Sequence, residues 1–307
     1  MNNLKLLQVY NFDKKIRCGV NSDGGYVLAE LDDGYDCYIS AGISNEESFS
    51  RDFINKYNIN KYNSFGFDGT INDYPYQYTQ NIQFIKKNIN NFNDDNNSNL
   101  SNLTDAYNNI FLKMDIEGCE YPWLLQINET QLNKFKQIVI EFHGITNNEW
   151  GCNYNDKVKC LEKLSKTHYI VHAHGNNHGQ VLNNIPDVIE LTYVNKNYFN
   201  LVPDLNTQHL PIYNLDFSNK CGNDINLNFY PFVNDIIIIG SSNESIKLIT
   251  VDTIFKNNIY IINKNNWVSN DIYDDNFEIT INNGVCSCKR LDVNSGWGMN
   301  LIIRVNI

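Results

Sequence analysis

The segment Phe111-Leu-Lys-Met-Asp-Ile-Glu-Gly-Cys-Glu120 indicates the fold more clearly than any other stretch of the sequence. Its apolar beginning predicts a buried strand that delivers two carboxylates, Asp115 and Glu117, at its C-terminal end. Pro122 follows at a position that suits the first turn of a helix. Because ligands of open α/β sheets bind beyond the carboxyl ends of the strands, this acidic strand end is a candidate site. Helix capping and surface solvation are the structural alternatives, with capping most credible for Glu117 and Glu120.

Strand-like and helix-like segments alternate from about residue 35 to residue 195. The predicted strands are 35–40, 62–68, part of 81–89, 110–114, 137–142, 168–174 and 188–193, and the predicted helices are 46–56, 103–109, 123–135 and 156–166. Strands separated by helices predict βαβ units and a mainly parallel sheet. The last two strands are joined by a loop through Pro186, without a helix, which predicts an antiparallel pair at the end of an α/β doubly wound sheet.

The chain after Cys221-Gly222 has a different pattern. Six strand-like segments are separated by Asn, Asp, Gly and Ser turns, at 236–240, 246–251, 259–263, 277–281, 285–289 and 299–305. No helical period of useful length is present. We therefore predict a first domain over residues 1–221 and a small all-β, sandwich-like domain over residues 222–307.

The composition excludes several classes of protein. A chain of 307 residues with 42% hydrophobic residues can bury a sizeable core, and a net charge of −11 argues against a nucleic-acid binder. No stretch approaches the roughly 20 apolar residues of a membrane helix, and the first residues lack the apolar core of a signal peptide. Eight scattered cysteines without paired zinc-type motifs indicate reduced thiols and predict a cytoplasmic location.

Two features of the first two strands suggest a ligand site. The stretch Ile39-Ser-Ala-Gly-Ile-Ser-Asn45 is a small-residue turn that allows a close approach of the backbone, but its single glycine is not a dinucleotide fingerprint. Asp68 closes the second strand about 25 residues further on, where an acid typically accepts hydrogen bonds from ribose hydroxyls. An ordinary βα turn, and a turn residue beside Gly69-Thr70, are the alternatives.

The fifth strand brings Glu141 and His143 to the same edge, and alternation places both on one face. A histidine beside a carboxylate at a strand end is a candidate general base, and a structural histidine is the alternative. His172 and His174 also share a face, but their spacing matches no standard zinc motif. His174 and the nearby Asn176 are expected to line the pocket or to brace a loop.

Six segments in this order resemble the FkbM-like branch of S-adenosylmethionine-dependent methyltransferases, over about residues 10–220. They are Cys18-Gly-Val-Asn-Ser-Asp-Gly-Gly-Tyr-Val-Leu28, Ser40-Ala-Gly-Ile-Ser-Asn-Glu-Glu-Ser-Phe49, Phe67-Asp68, Leu112-Lys-Met-Asp-Ile-Glu-Gly118, Ile140-Glu-Phe-His143 and His172-Ala-His-Gly-Asn-Asn177. The resemblance implies a seven-stranded class I methyltransferase sheet of the Rossmann-like type, S-adenosylmethionine as cofactor, and methyl transfer to an oxygen. The acceptors it implies are hydroxyls of sugars, nucleotide sugars, glycans or other small metabolites.

The resemblance also implies roles for individual residues. The methionine part of the cofactor would contact Ser40, Ala41, Gly42 and Ser44, the ribose would contact Asp68, the sulfonium and acceptor would lie beside Asp115, and the acceptor pocket would be lined by Glu141, His143 and His174. The Ala41-Gly42-Ile43 turn departs from the richer glycine loop of many class I enzymes. Asp23-Gly24-Gly25-Tyr26 matches the family without an assigned role, although its two glycines suggest a strained turn that could fold over the site.

The mechanism we expect is in-line displacement, with His143 as the first candidate base. A divalent ion, Mg²⁺ or Mn²⁺, held by Asp115, Glu141 and His143 is a second way to handle the acceptor proton. We expect a small-molecule or glycan acceptor, no nucleic acid and no membrane span. The β-domain would serve acceptor recognition or homo-oligomer formation.

Two other functions compete with this interpretation. The first is a non-catalytic glycan-binding or assembly protein with a relic methyltransferase fold, in which Trp267 and Trp297 would stack on sugar rings. Core packing is the alternative role for both tryptophans. The second is a nicotinamide-dependent dehydrogenase, which the missing three-glycine fingerprint disfavours.

Overall fold

The computed structural model describes residues 3–148, 150–182, 184–240, 246–247, 259–263, 277–282, 285–290 and 299–305. The chain divides into two compact units, one spanning Val9–Leu227 and a second that joins the N-terminal residues to the chain from Asn228 onward. The domain boundary predicted after residue 221 stays a prediction.

The first unit contains thirteen strands and five α-helices among its described residues. The strands are β1 (Lys15–Cys18), β2 (Tyr26–Ala29), β3 (Cys37–Ala41), β4 (Ser64–Phe67), β5 (Gln83–Ile85), β6 (Asn88–Ile89), β7 (Asn97–Ser98), β8 (Ile110–Met114), β9 (Phe135–His143), β10 (His168–Gly175), β11 (Val181–Leu182), β12 (Ile185–Pro186) and β13 (Val188–Asn195). The helices are α1 (Ser48–Tyr57), α2 (Ser101–Ala106), α3 (Glu120–Gln126), α4 (Glu129–Leu132) and α5 (Tyr154–Thr167), and short 3-10 turns lie at Lys61–Asn63 and Lys196–Tyr198.

A seven-stranded mixed sheet organises this unit, in the order β5-β4-β3-β8-β9-β13-β10. Its neighbouring strands are parallel except at β13, which is antiparallel to both β9 and β10. The chain passes from β10 to β13 through the short β11–β12 hairpin and no helix, so β13 must run back beside β10. The predicted α/β class and the predicted antiparallel pair are therefore confirmed.

The apolar runs of the central strands are explained by burial on both faces of the sheet. Every residue of β3, β8 and β9 is buried. On one face, α1 packs Phe53 against Phe111 of β8, with ring centroids 3.9 Å apart. On the other face, Trp123 of α3 meets Phe135 of β9 edge to face at 5.8 Å. The sheet is therefore a rigid layer between helices, which fixes where its strand ends lie.

The helix predicted over residues 123–135 is wrong as a single element, because the structure contains the two short helices α3 and α4. Asn128 separates them: its side chain accepts a hydrogen bond from the Gln131 backbone and forms a capping box with the Gln131 side chain. The strand predicted within 81–89 is likewise divided, into β5 of the main sheet and β6, which pairs with β7.

The second unit contains a 3-10 turn at Leu4–Leu7 and strands close to the predicted positions. These strands are β14 (Asp235–Gly240), β15 (Ile246–Lys247), β16 (Ile259–Asn263), β17 (Phe277–Asn282), β18 (Val285–Arg290) and β19 (Met299–Val305). They form two antiparallel three-stranded sheets, β14-β19-β16 and β15-β18-β17. The sandwich-like domain stays a prediction, and residues 248–251, Trp267 and Trp297 lie outside the described residues.

Across the described part of the chain, no helix combines the length and the apolar character needed to cross a membrane.

Candidate active site

Four adjacent parallel strands, β4, β3, β8 and β9, end at one edge of the sheet, which we call the carboxyl edge. Asp68 follows β4, the Gly42 turn follows β3, Asp115 follows β8, and His143 ends β9. The fold therefore brings the predicted cofactor-binding and acceptor-binding positions to the same edge, as the strand pattern implied.

The Gly42 turn is determined by a close approach of two chain segments. Gly42 has φ +79°, and a Cβ atom placed there would lie 1.6 Å from the backbone oxygen of Asp115. The amide of Asp115 also donates to the carbonyl of Ala41 at 3.0 Å. The chain at the end of β8 approaches position 42 too closely for any side chain. Glycine is therefore required there whether or not a ligand binds.

Asp68 is fully engaged by protein groups. Its Oδ2 accepts hydrogen bonds of 3.0 Å from the amides of both Ile43 and Ser44. Its Oδ1 accepts from the amide and the hydroxyl of Thr70, at 2.7 and 2.6 Å. Burial alone would raise the pKa of Asp68, but these hydrogen bonds together lower it. Asp68 thus holds the β3 turn in place, and a ribose hydroxyl would have to displace Thr70 to reach it.

Ser40 and Ala41 lie in the core. Both are completely buried, and the Ser40 hydroxyl donates to Glu47 Oε1 at 3.0 Å. Glu47 Oε2 accepts further hydrogen bonds from the hydroxyls of Ser50 and of Tyr74, the latter at 2.8 Å. Burial raises the pKa of Glu47. Ala41 is therefore a core residue, and Ser40 helps to hold a buried acid, Glu47, which the sequence did not single out.

Asp115 and Glu141 meet across a tyrosine. The hydroxyl of Tyr26 lies 3.0 Å from Asp115 Oδ2 and 3.2 Å from Glu141 Oε2, and the amide of Asn176 donates to Glu141 Oε1 at 2.7 Å. A hydroxyl carries one proton, so Tyr26 can donate to only one of the carboxylates. Burial raises the pKa of Glu141 well above its usual range, as do the charges of Asp115 and Glu190. The raised pKa favours the protonated form of Glu141, in which Glu141 can donate to Tyr26 while Tyr26 donates to Asp115.

Tyr26 is brought to this position by a glycine turn. Gly24 has φ +91°, and a Cβ atom on Gly25 would lie 2.0 Å from the backbone oxygen of Val20. Only glycine fits at these two places, and β2 starts directly after them. The Asp23-Gly24-Gly25-Tyr26 run was the signal for Tyr26, whose role the sequence left unassigned.

His143 is oriented by a buried carboxylate. Its Nδ1 lies 2.9 Å from Glu120 Oε1, which leaves Nε2 facing Glu117 Oε2 at 3.4 Å and Asp115 Oδ1 at 3.9 Å. The Oε1 atom of Glu141 is 3.7 Å away, so Glu141 and His143 share a face as predicted. Burial alone would lower the pKa of His143, but the hydrogen bond and charge of Glu120 and the nearby carboxylates raise it to about 9.

Glu117 and Glu120 differ sharply in their surroundings. Glu120 is completely buried at the start of α3 and holds His143, and no cap hydrogen bond from a side chain is made at this helix start. Glu117 has φ +55°, and its side chain is 72% exposed. The ligand atoms of Asp115, Glu117 and His143 lie within 4.8 Å of one another, so this set could hold a metal ion, with Glu117 in the place where the sequence suggested Glu141.

His174 lies between two carboxylates. Its Nδ1 is 3.0 Å from Glu190 Oε2 and its Nε2 is 2.8 Å from Asp224 Oδ1. These charges and hydrogen bonds outweigh burial and raise the pKa of His174 well above its usual range. An imidazolium paired at both nitrogens has no free position for a proton, so His174 ties β10 to the segment around Asp224. His172 makes a similar pair with Asp216 at 2.8 Å.

Two comparisons with known proteins give no assignment. A scan against models of protein families finds no match to this chain, and a search of curated proteins finds none either.

Proposed function

We propose that this chain is an S-adenosylmethionine-dependent O-methyltransferase that acts on a hydroxyl of a sugar, nucleotide sugar or glycan. One observation carries the proposal: the Gly42 turn, Asp68 and the cluster around Asp115 follow adjacent strands at the carboxyl edge of a seven-stranded sheet. The sheet order, with its antiparallel strand between β9 and β10, is the arrangement that the class I methyltransferase resemblance implies.

In methyl transfer from S-adenosylmethionine, the protein has two tasks, to position the reactants and to accept a proton. S-adenosylmethionine supplies a methyl group on a positively charged sulfur. The acceptor oxygen forms a bond to the methyl carbon, the carbon–sulfur bond breaks with its electrons on sulfur, and the hydroxyl proton leaves to the protein. Because the methyl group is already activated, orientation of the two reactants and removal of this proton are the remaining tasks.

The geometry favours Asp115 as the group that receives the proton. The pKa of Glu141 lies well above its usual range and that of His143 is raised to about 9, so both groups favour their protonated forms at neutral pH. Asp115 keeps 27% of its side chain exposed and receives a hydrogen bond from Tyr26 on Oδ2, while its Oδ1 lies 3.9 Å from His143 Nε2. His143, the first candidate base from the sequence, would then contribute charge and position.

Binding of the cofactor ribose at Asp68 would require one hydrogen bond of the protein to be exchanged. Because Asp68 accepts four hydrogen bonds from the protein, a ribose hydroxyl would replace Thr70 on Oδ1 and not meet a free carboxylate. The Ile43 and Ser44 amides would keep Oδ2, so the turn would hold its shape when the ligand binds.

The experiment that tests the proposal is calorimetric titration of the full chain with S-adenosylhomocysteine. We expect micromolar binding that is lost in Asp68→Ala and retained in Asp105→Asn, an exposed acid on α2 that serves as the matched control. Thr70→Val should bind at least as tightly as the wild type, because it removes the competing hydroxyl from Asp68. Retained binding in Asp68→Ala would contradict the assigned ribose contact.

No binding of S-adenosylhomocysteine by the wild type would refute the enzyme proposal. It would direct attention to the competing function, a glycan-binding or assembly protein. Where binding is found, transfer of a radiolabelled methyl group to a panel of nucleotide sugars would identify the acceptor.

A further inference from the structure

The open end of the cluster has the spacing of a cation site. Around an octahedral ion with ligands at about 2.1 Å, neighbouring ligand atoms are about 3 Å apart and opposite ones about 4 Å apart. His143 Nε2 lies 3.4 Å from Glu117 Oε2 and 3.9 Å from Asp115 Oδ1, and all three atoms fall within 4.8 Å. Side-chain shifts of less than about 1 Å would bring them onto one ion.

The orientation of His143 makes its Nε2 a ligand atom. Glu120 Oε1 holds Nδ1 at 2.9 Å, which leaves Nε2 facing the open cluster, and a cation that binds there would displace the Nε2 proton. A carboxylate behind a histidine is the usual arrangement at metal sites, where it fixes the ring and makes the ligand more basic. The buried Glu120 therefore does for His143 what such an outer carboxylate does for a metal-binding histidine.

Glu120 supplies a second, independent indication of a positive ligand. It is completely buried, and its other oxygen, Oε2, has no hydrogen-bond partner in the part of the chain that the structure describes. An undercompensated buried carboxylate is costly unless positive charge reaches it. Glu120 contacts the imidazole of His143, whose Nε2 faces the open cluster, so a cation bound at Nε2 would offset part of this cost.

We propose that Asp115, Glu117 and His143 form a binding site for a divalent cation, Mg²⁺ or Mn²⁺, with His143 bound through Nε2. Two carboxylates and one imidazole suit these ions, and the exposed side of Glu117 leaves room for water and a hydroxyl ligand. A cation there would act as a Lewis acid beside the acceptor hydroxyl. That catalytic role rests on the proposed function, whereas the binding does not.

The test is a titration of the full chain with Mn²⁺, in which the electron paramagnetic resonance signal of the free ion falls as it binds. We expect one site, and at least about tenfold weaker binding in Glu117→Gln. Glu117 is exposed, so this variant should fold normally. The matched control is Glu162→Gln, which removes an exposed acid on α5 and should bind like the wild type. Mg²⁺ added afterwards should release the bound Mn²⁺.

Each outcome decides the proposal. No loss of the free signal up to about 1 mM Mn²⁺ would overturn it, as would equal binding by Glu117→Gln and Glu162→Gln. His143→Gln is a second variant, and it should weaken binding without loss of the folded circular dichroism spectrum. Mn²⁺ binding together with no binding of S-adenosylhomocysteine would leave the cation site standing and refute the methyltransferase, and the reverse result would do the opposite.

Discussion

The two halves of the carboxyl edge differ in how their acidic side chains are hydrogen-bonded. On the β3–β4 half, Asp68 accepts four hydrogen bonds, and Glu47 accepts hydroxyls from three side chains. On the β8–β9 half, four carboxylates surround one imidazole and one tyrosine hydroxyl, and Glu120 keeps a buried oxygen without a partner in the described chain. Both halves contain a buried acid, Glu47 in one and Glu120 in the other, so a difference in burial does not explain the contrast.

This contrast separates scaffold from site. An acid whose acceptors are filled by the protein stabilises the fold, and its removal leaves buried donors without partners. Acids that face one another repel, and proteins retain such arrangements where a ligand compensates them. The β3–β4 half therefore shapes the edge, and the β8–β9 half is the part to which we assign the proposed chemistry.

The largest effect should come from Gly42→Ala, which breaks the junction between the halves. Its Cβ would lie 1.6 Å from the backbone oxygen of Asp115, so we expect a loss of at least about 4 kcal/mol in the free energy of unfolding. Gly34→Ala is the control, because Gly34 also has a positive φ but no atom within 4 Å, and about 1 kcal/mol is expected there. Urea denaturation measures the free energy of unfolding of both variants. Equal losses would show that the chain does not pass as close to Gly42 as the structure indicates.

A second prediction uses histidines at opposite edges of the sheet. Burial, without any carboxylate partner, lowers the pKa of His168 at the start of β10 to about 4, whereas the carboxylates raise that of His143 to about 9. Between pH 6.5 and 4, His168 is protonated in the unfolded chain but not in the folded one. The free energy of unfolding should therefore fall by about 3 kcal/mol as the pH drops through this range. His143 has the opposite sign, and its contribution should disappear as the pH rises through 9.

Denaturation at a series of pH values, in buffer with a chelator, measures this dependence. His168→Gln should flatten the acid side only, and His143→Gln should flatten the alkaline side only. The assignment fails if either variant changes the opposite side.

The third prediction compares one acid from each half directly. Asp68→Ala leaves the amides of Ile43, Ser44 and Thr70 without their acceptor and should cost about 2–3 kcal/mol. Asp115→Asn keeps the shape and removes a charge beside Glu141, so stability should change by less than about 1 kcal/mol or increase. Thermal or urea unfolding of the two variants measures both effects. A larger loss of stability in Asp115→Asn would contradict the assignment of Asp68 to the scaffold and Asp115 to the site.

The strands were predictable because their signal is local. The run Ile110–Met114 is entirely apolar except for Lys113, and its predicted bounds match β8. The missing helix before residue 188 was enough to predict an antiparallel strand. The division of the helix was not predicted, because Asn128, whose side chain caps the start of α4, lies within an otherwise helical pattern.

The site was predictable in position but only partly in content. Strand ends placed Asp68, Asp115 and His143 at one edge, since parallel strands align their carboxyl ends. The sequence could not show that Tyr26 would reach Asp115, because 89 residues separate them and the contact depends on how the β1–β2 hairpin packs. It also could not show that the Asp68 acceptors are filled, since that depends on the exact path of the turn.

The crossing at Gly42 has a kinetic consequence. Besides the contact with the Asp115 carbonyl, the turn is fixed by the amide of Asp115 on Ala41 and by the Lys113 amine, which donates to the Gly42 carbonyl at 2.8 Å. The two halves therefore cannot shift independently, and occupancy of the β3 turn must move or fix the end of β8. For the proposed methyltransferase we therefore expect ordered binding, with the cofactor in the turn first, so that an inhibitor that competes with the acceptor binds well only to the complex of protein and cofactor.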